Sequence, residues 1–453
     1  MKQIDFGSER VAANIVRVAF PLLVAQLMQL LYNIVDRIYI GRIPGMGTDA
    51  LAAIGLAFPL IIIITGLTNL FGMGAAPLFS IALGAGDQEK AKELLHTAYR
   101  LLLFSAGLVL VFGELFASPL LRLFGADEGM LTIALPYLRI YLTGSFFFMI
   151  ASGMNPLINA QGFPRIGMLT IVIGAVSNLL LDPVFIFVLG MGVKGAAIAT
   201  VIAQCLSFLF VILFLTGRRT MFCLSLRPAM RFPHAKDIFG LGIASFIMQA
   251  TNSLVQICCN NALLIHGGAL FVSVMTVVAS VRSILDTPVL AISDGTTPLL
   301  GFNYGAGNRT QLVRAIRIMT LLGTSYTLAI WIVLELRAEW FVRIFTNDET
   351  LFAPAAHAIR IYFRAFVFMT LQFSGQSVFR ALGFKKQTVF FSLFRKVVLV
   401  VPLIYLLSFV LIPGTDGVFW AEPVSNVIGG LSCFITMCLT LRRVLRDMHR
   451  EKA

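Results

Sequence analysis

From Leu51 to Gly86, and again from Ile238 to Val281, the chain carries no Asp, Glu, Lys or Arg. About 20 apolar residues cross a bilayer once, so each of these runs is long enough for a crossing and more. No water-facing surface can be built from them. The whole chain follows suit: charged residues make up 13% of it, where a soluble domain carries about 25%. Cutting the apolar tracts at their polar, Gly and Pro breaks predicts twelve spans, near 16–42, 51–82, 94–120, 131–158, 166–189, 195–217, 237–265, 271–300, 314–337, 351–378, 388–412 and 418–441. The first of them is too long for a signal peptide and contains Asp36. The expected fold class is therefore an all-α membrane protein.

Basic residues set the orientation, because Lys and Arg concentrate in cytoplasmic loops. With the N-terminus inside, 25 of the 35 basic residues fall on the inner side and 8 on the outer, with Arg37 and Arg282 inside spans. Both termini are expected in the cytoplasm, and the net charge of +13 reads as topology and attraction to anionic lipid. It does not call for nucleic acid. The six cysteines show no metal-like spacing.

The chain also repeats itself, at an offset of 221 residues. Pro77-Leu78 recurs as Pro298-Leu299, and Gly84-Ala85-Gly86-Asp87 as Gly305-Ala306-Gly307-Asn308. Arg122, Phe124, Asp127 and Glu128 recur as Arg343, Phe345, Asp348 and Glu349, and Arg139-Ile140-Tyr141 as Arg360-Ile361-Tyr362. Six spans return the chain to the same face of the membrane, so the copies are parallel repeats about an axis along the membrane normal. The expected organisation is an N-terminal six-helix bundle over 1–217, a cytoplasmic linker over 218–236 with Arg227, Pro228, Arg231 and Pro233, and a C-terminal six-helix bundle over 237–453. Two facing bundles leave a central cleft.

Function should lie with the polar residues that lipid would reject. An Asp at mid-span costs roughly 2.5–3.5 kcal/mol on insertion scales and needs a counter-charge, a proton or an ion. In the first span Gln29, Asn33 and Asp36 share one helical stripe. In the fifth, Asn178 and Asp182 are four residues apart, and Pro183, lacking an N–H, leaves the carbonyl of Leu179 without its usual donor. Carboxylates, an amide oxygen and a carbonyl at one depth suit Na⁺, or a proton on one carboxyl. Structural pairing of these acids with Arg37 or Arg282 is the alternative. The second half offers Gln249, Asn252, Gln256, Asn260 and Asn261, then Arg282, Asp286 and Asp294, and later Glu422. Gln29, Asn33, Gln249, Asn252, Gln256 and Asp286 are the candidate substrate contacts. No zinc-protease, nucleophile-elbow or phosphate-loop motif occurs, so no enzyme is expected, no cofactor is required, and uphill transport would run on an ion gradient.

Several runs resemble the multidrug and toxic compound extrusion (MATE) family, in its prokaryotic branch. They include Leu31-Tyr32-Asn33-Ile34-Val35-Asp36, Asn178-Leu179-Leu180-Leu181-Asp182-Pro183, Gly195-Ala196-Ala197-Ile198-Ala199-Thr200, the run from Pro298 to Gly307, and Ala421-Glu422-Pro423. The resemblance implies twelve helices in two bundles around a V-shaped cleft. It also implies a monomeric antiporter of the cytoplasmic membrane that exports bulky, often cationic organic compounds in exchange for Na⁺ or H⁺. Carried over residue by residue, its cation site is Asp36, Asn178, Asp182 and Thr200. An acidic residue that other branches place in the seventh span is absent here. A lipid-linked-oligosaccharide flippase of the same superfamily is the rival; it would need a strongly basic cavity, for which only Arg37 and Arg282 stand out in the sequence.

Overall fold

The computed structural model describes residues 3–44, 46–225, 232–345 and 349–450. The linker's Arg227, Pro228 and Arg231 and the repeat's Asp348 lie outside them. Among the described residues every regular element is helical. We number the spans α1 (Val11–Gly41), α2 (Gly47–Gly84), α3 (Gln88–Leu123), α4 (Glu128–Ala160), α5 (Pro164–Val188) and α6 (Gly192–Thr216). A 71-residue helical stretch, Ala235–Gly305, is broken at Gly268, whose φ of 68° an L side chain adopts only at a cost. Its arms are α7 (235–267) and α8 (269–305). Next come α9 (Arg309–Phe345), α10 (Glu349–Tyr362 and Phe366–Ala381, bent by 50°), α11 (Lys385–Leu411) and α12 (Thr415–Arg450).

The twelve expected spans are thus all present. Among the described residues ten helices are long and apolar enough to cross a membrane, the bent α10 supplies an eleventh, and the break at Gly268 divides one of the ten into two. Most helices overrun the predicted spans by a few residues at each end. Intrahelical hydrogen bonds continue past the apolar run until a cap stops them.

The repeat reappears in those caps. After α2, the Asp87 side chain accepts from the N–H of Lys90 at 3.0 Å; after α8, Asn308 accepts from Gln311 N–H at 3.2 Å. Gly86 and Gly307 both take left-handed φ, 77° and 65°. The closing backbone bonds also correspond: Asp87 N–H to Ala82 O, and Asn308 N–H to Asn303 O. A glycine C-cap and an Asx N-cap back to back make one sharp reversal, built twice at the same offset.

The chain packs as two compact units, Met1–Asp5 with Val24–Phe246, and Phe6–Leu23 with Ile247–Ala453. Division by sequence topology falls at the linker. Division by packing falls inside α1 and inside α7, so each of these helices is shared between units.

Within the first unit, small residues bring backbones together, as expected where lipid offers helices no hydrophobic incentive to associate. A Cβ on Gly72 would lie 2.4 Å from Gly153 O, joining α2 to α4, and one on Gly242 would lie 1.7 Å from Leu70 O, joining α7 to α2. Two apolar cores fill this unit, one around Ile64, Leu121 and Leu138, the other around Phe79, Leu94 and Leu102. The second unit has one core, around Val278, Ile359, Phe366, Ile404 and Phe419. Hydroxyls stitch its helices as well: Thr297 to Ser377 at 2.9 Å and Thr327 to Thr370 at 3.0 Å.

Gly242→Ala is expected to force α2 and α7 apart, at about 1–3 kcal/mol for overpacking. Thermal unfolding in detergent should show a lower midpoint than for Gly107→Ala, a helical position with nothing within 4 Å of its Cβ.

Candidate functional site: an acidic pair and a cation cluster

The first unit gathers the four residues expected to act together. Asp36 of α1 and Asp182 of α5 stand carboxyl to carboxyl. Asn178, one turn before Asp182, donates through Nδ2 to Thr200 Oγ1 of α6 at 3.1 Å, and Thr200 donates to Ala196 O at 3.0 Å. Asp182, Asn178 and Thr200 are buried, at 0%, 1% and 5% exposure, while Asp36 is half-buried. After Pro183 the helix widens into a π-type turn over Val184–Val188, a local distortion frequent at functional sites.

The hydrogen-bond accounting at this site does not close. Both carboxyl oxygens of Asp182, one of Asp36 and the amide oxygen of Asn178 are buried with no donor among the described residues. Four clustered acceptors without a donor are costly away from water, and a shared proton or a small cation relieves that cost. Neither acid has an ion-pair partner among the described residues. Arg37, one candidate partner, instead lies over the Phe58 ring at 5.6 Å.

Three tyrosines border the pair. Tyr32 stands beside Thr200, and Tyr137 and Tyr141 of α4 are buried within electrostatic reach of Asp36. Tyr32 lies one turn before Asp36 on α1. Nothing in the local sequence of α4 marks the other two.

The second unit answers buried charge in the opposite way. Glu422 of α12 receives Arg282 of α8 at 2.7 Å and Arg395 of α11 at 2.8 Å, with Lys396 at 3.9 Å, all on one carboxyl oxygen. Arg282 also pairs with Asp286 at 3.1 Å and bonds the Tyr362 hydroxyl, while Arg395 donates to Asn426 at 2.7 Å. Three basic side chains face two acidic ones, so the basic groups outnumber the acidic by one. Arg282, the other candidate partner for the acidic pair, is therefore committed here. A separate pair, Arg380 with Asp294 at 3.1 Å, joins α10 to α8.

This cluster corrects the view that only Arg37 and Arg282 are basic groups at depth. Arg380, Arg395 and Lys396, expected on the inner side, are 9%, 6% and 7% exposed. A π-type turn over Phe394–Val400 makes the last two possible. Widening the helix lets neighbouring residues turn inward together.

The six candidate substrate contacts divide between the units. Gln29 (half-buried) and Asn33 (exposed) belong to the first. In the second, Gln249 is half-buried, Asn252 is exposed, Gln256 bonds Asn260 within its own helix at 3.1 Å, and Asp286 belongs to the cation cluster. Among the described residues no group of three or more His, Cys, Asp or Glu could hold a metal ion, and the acidic pair is completed by amide and hydroxyl groups instead.

The family model MatE matches residues 21–184 and 244–406, once in each half. The chain belongs to the MatE family. As a member it is 22% identical, over 95% of its length and 94% of the relative's, to the multidrug export protein MepA of Staphylococcus aureus. It is 24% identical, over 93% of each chain, to an FAD transporter of Shewanella oneidensis. Among solved structures, an outward-facing multidrug resistance MATE transporter of the MOP superfamily superposes with a TM-score of 0.92 at 25% identity, covering 98% of this chain and 99% of that one.

Replacing the carboxylate at the centre of the cluster should destabilise this MATE protein strongly. Glu422→Gln strips Arg282, Arg395 and Lys396 of their shared counter-charge, which for a buried pair costs about 3–5 kcal/mol. Unfolding in detergent should show that loss. Lys396→Met on top of it should recover part of it, because the excess of basic over acidic groups returns to one.

Proposed function

We propose that this protein is a cation-coupled antiporter of the cytoplasmic membrane, exporting bulky amphiphilic, often cationic, organic compounds in exchange for Na⁺ or H⁺. It works as a monomer with both termini in the cytoplasm. The observation that carries the reading is the unclosed accounting in the first unit, where Asp36, Asp182 and Asn178 bring four buried acceptors together without a donor. A group in that state changes its free energy steeply with occupancy by a cation, which is what coupling requires. The multidrug export activity named for the S. aureus relative supplies the substrate class.

A second reading is favoured by one specific feature, the excess of basic over acidic side chains around Glu422. Buried cations suit substrates bearing phosphate or carboxylate, the class to which the FAD of the Shewanella relative belongs. A lipid-linked pyrophosphate falls in the same class.

In inside-out vesicles with an imposed Na⁺ or H⁺ gradient, uptake of ethidium is expected for the wild type. Asp36→Asn and Asp182→Asn should each lower gradient-driven uptake at least tenfold while leaving the protein monodisperse. Full activity in both variants would sink cation coupling at this pair. Uptake of FAD, with none of ethidium, would move the substrate to the anionic class.

A further inference from the structure

On the side of the second unit assigned to the cytoplasm, α9 and α12 diverge enough to leave a cavity of about 290 Å³. Its walls come from one face of each helix: Val313, Ile316, Thr320 and Leu321 from α9, Phe434 and Leu441 from α12. The lining is almost wholly apolar. Along α12 it runs from 434 to 441, about 10 Å at 1.5 Å per residue. Leu321 is 59% exposed, so the cavity opens outward from the unit.

Charge collects at one end of this groove. Arg317 lines it, and Arg442 follows the lining Leu441 and lies within electrostatic reach of Cys438, another lining residue. Arg314, Arg443 and Arg446 are exposed on the adjoining turns. None of these arginines has an ion-pair partner among the described residues. The helices run in opposite senses, so these are the starting turns of α9 and the closing turns of α12, at one membrane face. Thr320 adds an independent sign. Most helical Thr hydroxyls here bond the carbonyl four residues back, as Thr68 does to Ile64 O at 2.8 Å. The Thr320 hydroxyl is buried against the groove with no partner.

An apolar channel entering the hydrocarbon, a polar group partway along it and an uncompensated basic rim at headgroup level match an anionic phospholipid. The acyl chain would fill the groove, a glycerol ester oxygen would accept from Thr320, and the phosphate would lie on the arginines. We propose that the second unit holds one anionic phospholipid of the inner leaflet between α9 and α12, with its headgroup phosphate on Arg317 and Arg442. Free phosphate has no use for the apolar channel, and a zwitterionic lipid brings an ammonium group against the arginines.

Native mass spectrometry of the full-length protein, with added phosphatidylglycerol or phosphatidylcholine of equal chain length, tests this. Wild type is expected to keep one phosphatidylglycerol at activation energies that strip phosphatidylcholine. Arg317→Gln should weaken that retention about fivefold, the effect of one basic group at an anionic interface. Leu321→Trp, which fills the channel and keeps every charge, should abolish it. Arg165→Gln, exposed in the first unit, should change nothing. The proposal is overturned if both lipids are held equally, if Arg165→Gln weakens retention as much as Arg317→Gln, if Leu321→Trp retains the lipid, or if inorganic phosphate displaces it.

Discussion

A carboxylate within a bilayer is tolerated only beside a counter-charge, a proton or a cation, and the two halves of this chain meet that demand in opposite ways. In the second unit the counter-charges are built in. Glu422 holds two arginines and a lysine from two neighbouring helices, and Arg282 reaches on to Asp286 and Tyr362. In the first unit Asp36 and Asp182 face each other with Asn178 and Thr200 alongside, and among the described residues no basic side chain is paired with them. The shared scaffold sharpens the contrast. At the repeat offset Arg395 and Lys396 correspond to Gly174 and Ala175, and Glu422 to Val201, while Asp182 corresponds to Leu403. A Cβ at Gly174 would come within 2.6 Å of Ser207 Oγ, so an arginine there would have to displace the hydroxyl that now donates to Thr170 O.

One residue bridges the comparison. Tyr141 and Tyr362 occupy the same place in the repeat, and each borders the charged cluster of its own half. A phenol accepts from a guanidinium, as Tyr362 does, or faces a carboxyl, as Tyr141 does. The duplicated frame therefore keeps an adaptable polar group at a fixed position while the ionisable groups around it diverge.

The span count, the repeat and the acidic pair were all legible in the sequence, for clear physical reasons. Apolar length sets the spans, Gly and Asx at fixed offsets set the reversals, and Asn178 and Asp182 at i, i+4 must share a helix face. The cation cluster was not legible. Arg395 and Lys396 lie near the inner end of an apolar run, where basic residues ordinarily face water, and only the π-type turn over Phe394–Val400 directs both inward. No local pattern announces such a turn. The partners of Glu422 were hidden for a related reason: they come from α8 and α11, and pairing between distant helices leaves no spacing to read. The sharing of α1 and α7 between units was equally invisible, because packing rather than hydropathy decides it.

These differences have a consequence for how the protein could respond to an ion. The cluster in the second unit is held by charge-assisted bonds that join α8, α10, α11 and α12. Its residents cannot leave, so a change of external cation concentration alters its energy little. The acidic pair is the reverse case. Its buried acceptors have no donor among the described residues, and α1, α5 and α6 contribute one or more of its groups each. On the reading that the pair binds the coupling cation, a rearrangement linked to its occupancy would begin among those three helices. On the coupling reading, the second unit carries its own counter-charges while the first depends on the cation it takes up, although both descend from the same repeat.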